Sequence, residues 1–238
     1  MKLKPMTLWL SLAGCALLCA NFATQAADIS RSGGVALGAT RIIYHEGQKE
    51  TSISLTNTTK SGSFLIQSWI ADANNKKLSD FILTPPLFVS KPKSENTLRL
   101  MYAGPTLPKD RESVFFLHSR AIPSVDPKKV KGSNVLQIAV ESVIKVFWRP
   151  EGLKTTETDA EKNLVCSRSG NSVTLKNPSP YYLSLVSLYS GTAKLPNTMV
   201  PPKSSVTVKA SGSGLGKVTY TAINDYGATS KKMTCSGT

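Results

Sequence analysis

Histidine is nearly missing from this chain: His45 and His118 are the only two in 238 residues. A zinc or copper centre draws on a set of nitrogen and sulfur ligands, so resident metal chemistry has too few donors here. No G-x-S-x-G, H-E-x-x-H or phosphate-cradling glycine loop occurs. Asp28, Asp72, Asp80, Asp110 and Asp225 stand isolated in sequence, without the local partner that general acid–base work calls for. Acidic residues are themselves scarce, 15 against 29 lysines and arginines, for a net charge of +14. In a cytosolic protein such an excess suggests nucleic acid, yet the lysines are scattered and not gathered in arginine-rich, aromatic-studded runs. Acidic protein partners or plain solubility account for the charge better. The expectation is a binding protein without metal, cofactor or catalysis, and without nucleic acid as a partner.

Long apolar runs are also few. The longest, Leu8 to Ala20, is too short for a comfortable membrane span and follows Lys2 and Lys4, the pattern of an export signal. Cleavage after Ala26 would remove residues 1–26 and leave 212 of the 238, with a net charge of +12 once Lys2 and Lys4 are gone. A competing signal is Leu12-Ala13-Gly14-Cys15, a lipoprotein-type processing site. The residues after Cys15 stay apolar, whereas lipoprotein tethers are polar, so soluble export with no stable membrane insertion is the expectation. Export also disposes of Cys15 and Cys19. The remaining pair, Cys166 and Cys235, is expected to form one disulfide in an oxidising compartment.

What is present is a succession of short alternating runs between turn residues. Thr51 to Asn57, Ser63 to Ala71, Asn96 to Tyr102 and Ser113 to Pro123 read as strands, separated by Asn-Asn, Pro-Pro, Gly-Pro and Pro-Lys-Asp. A weaker set follows: Val165 to Ser167, Ser172 to Asn177, Tyr181 to Tyr189, Ser204 to Ala210 and Gly216 to Ile223. No stretch carries a helical period. Between the halves, Arg149-Pro150-Glu151-Gly152 marks a hinge. The lysine-rich stretch Ser124 to Ser133 reads as a solvated connection. The length suits two β-sandwiches joined near residue 150.

One run departs from alternation. Asn134 to Pro150, NVLQIAVESVIKVFWRP, is uninterrupted until its proline, with Leu136, Ile138 and Val140 on one parity and Ala139 and Val143 on the other. A strand apolar on both faces must be covered on both. Either it is a central core strand, or in a secreted all-β protein its second cover comes from another molecule.

Six stretches carry a resemblance. They are Thr40-Arg41-Ile42-Ile43-Tyr44, Pro85-Pro86-Leu87-Phe88, Leu107 to Ser113 (LPKDRES), Asn134 to Pro150, Asn177 to Tyr182 (NPSPYY) and Ile223-Asn224-Asp225-Tyr226-Gly227. In this order they resemble the periplasmic pilus (fimbrial) assembly chaperones of the chaperone–usher pathway. The brief segments before Val35 and between Pro123 and Asn134 resemble the short-loop branch. Trp148 stands where members often have tyrosine.

The resemblance implies two immunoglobulin-like β-sandwich domains, L-shaped with a cleft between them, at 27–149 and 150–238. It implies a periplasmic protein that stabilises pilin subunits by donor-strand complementation and passes them to an outer-membrane usher. Leu136, Ile138 and Val140 would be the donor side chains, their opposite-parity neighbours facing the chaperone's own core. Arg41 and Lys145 would hold the subunit's C-terminal carboxylate. Since Lys145 is out of phase with Leu136, a bulge or twist has to re-aim the strand. Glu112, Arg149 and Asp225 would form an inter-domain ion network, and the Cys166–Cys235 bridge would staple the second domain. A free copy that caps its apolar strand with a second copy is a further expectation. The competing expectation, an exported fimbrial subunit or adhesin, calls for an alternating apolar N-terminal peptide, which Asp28 to Gly34 (DISRSGG) does not supply.

Overall fold

The computed structural model of the chain describes residues 33–125, 136–211 and 216–237. The expected export signal (1–26, with Cys15 and Cys19) and Asn134 lie outside them, as does most of the connection expected over Ser124–Ser133.

The first half is a sandwich of β1 (Val35–Leu37), β2 (Arg41–His45), β3 (Thr51–Asn57), β4 (Phe64–Ala71), β5 (Phe81–Thr84), β6 (Leu87–Ser90), β7 (Ser94–Tyr102), β8 (Ser113–Pro123) and β9 (Val140–Arg149). One sheet runs β1-β3-β7-β5 and the other β2-β9-β8-β4-β6. The period-2 pattern decides which side chains enter. Ile53 and Leu55 of β3, Ile66 and Ile70 of β4, Leu98 and Leu100 of β7, and Leu117 of β8 are buried in one core with Val146 and Trp148. The chain crosses between sheets at Thr84-Pro85-Pro86, where the Thr84–Pro85 peptide is cis.

The second half has its own core, built on Leu164, Leu175, Leu183, Leu185, Leu188 and Tyr220. Its sheets are β10 (Val165–Ser169), β11 (Ser172–Asn177) and β15 (Ser204–Lys209), in that order, and β13 (Ala193–Lys194), β12 (Leu183–Ser190), β16 (Val218–Ala222) and β17 (Met233–Thr234), with β14 (Thr198–Val200) also on β12. Cys166 of β10 is bonded to Cys235 just after β17, the Cα atoms 5.8 Å apart.

The two halves repeat one corner. Asn57 ends β3, and its side-chain NH2 donates to the carbonyls of Gly62, Ser90 and Lys91, while its Oδ1 accepts from the Thr59 amide and hydroxyl. Asn177 ends β11 and does the same with Tyr181, Val200 and Pro201, its Oδ1 accepting from Ser179. In each half the bonded carbonyls lead into a Pro-Lys-Ser turn whose lysine, Lys93 or Lys203, has φ near +54° or +53°. That turn feeds the strand paired with the asparagine's own, Asn57 opposite Ser94 and Asn177 opposite Ser204. A buried amide thus satisfies carbonyls that a sheet corner would leave bare.

Two expectations are corrected. A helix is present: α1 (Glu157–Lys162), capped by Thr156, whose Oγ1 accepts from the Asp159 amide at 3.2 Å. It is under two turns long, too short for a period to show in sequence. The run Asn134 to Pro150 is also not one strand. Among the described residues β9 begins at Val140, and Leu136–Ala139 have no ladder partners. Its neighbour β8 ends at Pro123, which has no amide hydrogen to continue the ladder; the Pro123 carbonyl accepts instead from the Gln137 side chain.

Candidate functional site

Strand β9 is covered unevenly. On one side it pairs antiparallel with β8 without interruption, from Ala121 opposite Val140 to Ser113 opposite Trp148. On the other it pairs with β2 in parallel, and only from Lys145 onward: Arg41 lies opposite Lys145 and His45 opposite Arg149. Residues 140–144 therefore have no strand on their second side among the described residues. Leu136, Ile138 and Val140 lie on or just before this open edge and are 85%, 65% and 64% exposed. A row of exposed aliphatics on an unpaired edge is a template for another strand.

The expected facing of this row needs correction. Ile144, Val146 and Trp148, which share Val140's parity, pack in the first core, whereas Glu141 and Val143 on the other parity are exposed. Val140 is therefore on the core-facing side of β9, and Glu141 and Val143 face outward. No bulge intervenes, because the β8–β9 ladder is regular throughout. The row is exposed because the opposite sheet runs out. β1 is three residues long, and Val140 lines an apolar cavity with its Val35 and Leu37 and with Leu55, Phe64 and Ala121.

Arg41 and Lys145 are brought side by side by the parallel register. Arg41 is 9% exposed, donates from Nη1 to the Ile223 carbonyl at 2.7 Å, and lies over the Phe147 ring. Among the described residues its buried Nε has no hydrogen-bond partner. Lys145 Nζ donates to Ser184 Oγ at 3.2 Å. Among the described residues no carboxylate comes within 4.0 Å of either cation. Burial lowers the pKa of both; for Lys145 the Arg41 charge adds to it, and for Arg41 the more distant Asp225 and Glu157 work against it. Two partly desolvated cations side by side, with no carboxylate in direct contact among the described residues, form a positive site suited to a carboxylate.

Glu112, Arg149 and Asp225 are in direct contact across the junction of the sandwiches. Arg149 Nε donates to Glu112 at 2.7 Å, and its two terminal nitrogens form a fork to Asp225 at 2.6 and 2.7 Å. The second oxygen of Glu112 accepts from the Tyr182 amide at 2.8 Å, and the Arg149 guanidinium lies 5.0 Å above the Tyr181 ring. Burial alone would lower the Arg149 pKa, but the bonds to Asp225 and the Glu112 charge outweigh it and raise it. Glu112 sits above the ordinary carboxylate range because it is buried, in spite of its arginine.

The sequence reading missed a second tie across the junction. Asp110 accepts from Arg111 and, across the junction, from Lys203 at 2.7 Å, which together hold its carboxyl below the ordinary range. It also missed Ser184 and the Phe147–Tyr182 ring pair, 5.7 Å apart. Asp110 and Tyr182 lie in stretches that carried the resemblance, but nothing local in the sequence names their partners. No group of three or more His, Cys, Asp or Glu side chains is placed to hold a metal among the described residues, and no helix there is long and apolar enough to cross a membrane.

The described residues thus form two β-sandwiches, and in the first of them residues 140–144 of β9 have a strand on one side only. Comparison with known proteins narrows this class. Residues 34–154 match the family described as pili and flagellar-assembly chaperone, PapD N-terminal domain, and residues 159–234 match the pili assembly chaperone PapD, C-terminal domain. The chain is 48% identical over 202 residues to the chaperone protein FimC of Escherichia coli strain K12, covering 84% of this chain and 83% of that protein. It is 45% identical over 202 residues to the probable fimbrial chaperone SfmC of the same strain, covering 85% and 88%. The crystal structure of the periplasmic chaperone SfaE superposes with a TM-score of 0.75 at 45% identity, covering 85% of this chain and 99% of that one. The SafB chaperone solved with Salmonella enterica SafA pilin gives 0.77 at 30% identity, covering 84% and 95%. The chain belongs to the PapD family of pili assembly chaperones. It is a pilus-assembly chaperone of two β domains.

Proposed function

We propose that residues 136–144 complete a pilin subunit that lacks a strand, by the strand addition known as donor-strand complementation in chaperone–pilin pairs. The observation that carries this reading is the open edge of β9 ending at two adjacent cations that have no directly bonded carboxylate among the described residues. A guest whose terminal carboxylate meets Arg41 and Lys145, with its preceding residues beside 144 to 140, runs parallel to β9 and in line with β2. Leu136, Ile138 and Val140 then enter the guest's unfilled core. Burying three aliphatic side chains contributes about 5–9 kcal/mol before ordering costs, and each charged hydrogen bond about 1.5–3 kcal/mol. The aliphatic row supplies most of the affinity, and the two cations set the register.

Under the same reading the protein works in the periplasm after loss of residues 1–26, as two domains spanning 27–149 and 150–238. It passes subunits to an outer-membrane usher, and without a guest it caps its edge with a second copy. Glu112, Arg149 and Asp225 hold the two domains at a working angle, and Cys166–Cys235 staples the second. In support, the SafB relative was solved with a pilin, and the two cores share no residue.

The test is co-purification from periplasm, with mass spectrometry of whatever stays bound. The wild-type protein is expected to carry pilin. Arg41→Ala should lose it, and Ile138→Asp should leave pilin degraded or aggregated. Wild-type pilin recovery with Arg41→Ala would refute the anchor, and unaltered pilin yield with Ile138→Asp would refute the donor row.

A further inference from the structure

The open edge raises a mechanical question. Residues 140–144 are held by β8 alone, and a strand with one neighbour and exposed aliphatics frays and wanders. On the outward side of the sheet, one carboxylate counters this. Glu141 lies directly opposite Arg120 on β8. Its Oε2 accepts from Arg120 Nε and Nη2 at 3.0 and 2.8 Å, and its Oε1 is 2.8 Å from Nδ1 of His118, two residues along β8. Both β8 side chains are braced in turn by Trp69 of β4. The His118 ring stacks on the indole at 5.1 Å with 14° between the planes, and the Arg120 guanidinium lies 5.2 Å above it. Trp69, His118, Glu141 and Arg120 thus close a ring across three strands. His118 is buried, and among the described residues its other nitrogen has no hydrogen-bond partner, so its ring bonds there to Glu141 alone.

We propose that Glu141 is the positioning residue of the donor edge: gripped from β8 by Arg120 and His118, it holds residues 140–144 flat against β8, so that their free edge and the Val140 side chain stay presented to an incoming strand. The inference rests on the donor-edge reading above. Two-point anchoring matters because a carboxylate held through both oxygens by braced partners fixes rotation as well as distance. Preorganisation of this kind lowers the ordering cost of binding. It therefore acts on the rate of capture and leaves the contacts of the finished complex intact.

The experiment uses the mature protein and a synthetic peptide of alternating valines and threonines, prepared with a free C-terminal carboxylate and as the C-terminal amide. Glu141→Gln, His118→Ala and Arg120→Ala are compared with wild type by hydrogen exchange and by peptide association and dissociation rates. The proposal expects faster exchange confined to residues 140–144 and association of the carboxylate peptide slowed about tenfold, with dissociation little changed. It also expects that exchanging the partners, Glu141→Arg with Arg120→Glu, recovers part of the rate. Unchanged exchange and association in all three single variants would overturn it. So would unchanged exchange with a new tendency to dimerise, which would make Glu141 only a charge that discourages edge pairing. The anchor reading fails separately, if wild type binds the carboxylate and amide peptides equally well.

Discussion

Removing the Arg149 guanidinium tests whether the ion network joins the sandwiches. In Arg149→Ala, Glu112, which is 3% exposed, keeps the Tyr182 amide but loses its counter-charge, while Asp225 loses a two-bond fork and remains partly solvated. Breaking one side of a buried pair costs about 3–5 kcal/mol, chiefly because an uncompensated charge is left behind. The sign of the pH dependence follows. Burial already holds Glu112 above its ordinary value, and without Arg149 it rises further. A raised carboxyl keeps its proton in the folded state after the unfolded chain has lost it. Its contribution is fully present below the unfolded pKa and is lost as pH rises through the folded one. Arg149→Ala should therefore be weakest at neutral pH and recover part of its loss near about pH 5. Differential scanning calorimetry is the assay, because two domains tied by the network unfold together and untied ones separate into two transitions. Arg149→Lys should fall between, keeping charge without the fork. A single transition with a loss below about 1 kcal/mol, equal at both pH values, would refute the reasoning.

Asn57→Ala should destabilise the first sandwich by about 3 kcal/mol or more, since buried carbonyls lose their donor; Asn177→Ala should do the same to the second, and a change under about 1 kcal/mol in urea denaturation would count against the corner motif. Reducing Cys166–Cys235, or replacing both by Ala, frees a 69-residue separation and should cost about 4 kcal/mol in the chain-entropy account, seen as a lower midpoint for the second domain alone. Glu157 is pushed up to about 7 by burial and by the charges of Asp225 and Glu161. The same sign rule makes its contribution present below 4.5 and lost as pH rises through about 7. Glu157→Gln should flatten that slope, by at most about 3 kcal/mol and less after solvent screening; an unchanged midpoint-versus-pH curve would reject the shift.

The bounds of β3 and β11 were legible in the sequence because each alternates a wetter and a drier face and stops at an asparagine, and those of β8 because it stops at a proline. β1, β13 and β17 were not, because two or three residues carry no period. The donor segment shows a deeper limit. Its apolar residues on both parities call for cover on both faces, but a strand's extent depends on its neighbours. β8 stops at a proline and β2 starts only opposite Lys145, and neither fact is written in residues 134–150. The same holds for the facing of the row. Parity counted from Leu136 cannot say which face is interior, since that depends on β1 ending early and leaving the sandwich open at Val140. Arg41 and Lys145 look like two solvated ends until a parallel register sets them abreast. Glu141 shows the limit most plainly: in sequence it merely interrupts an apolar run, and only β8 and β4 turn that interruption into a grip on the edge.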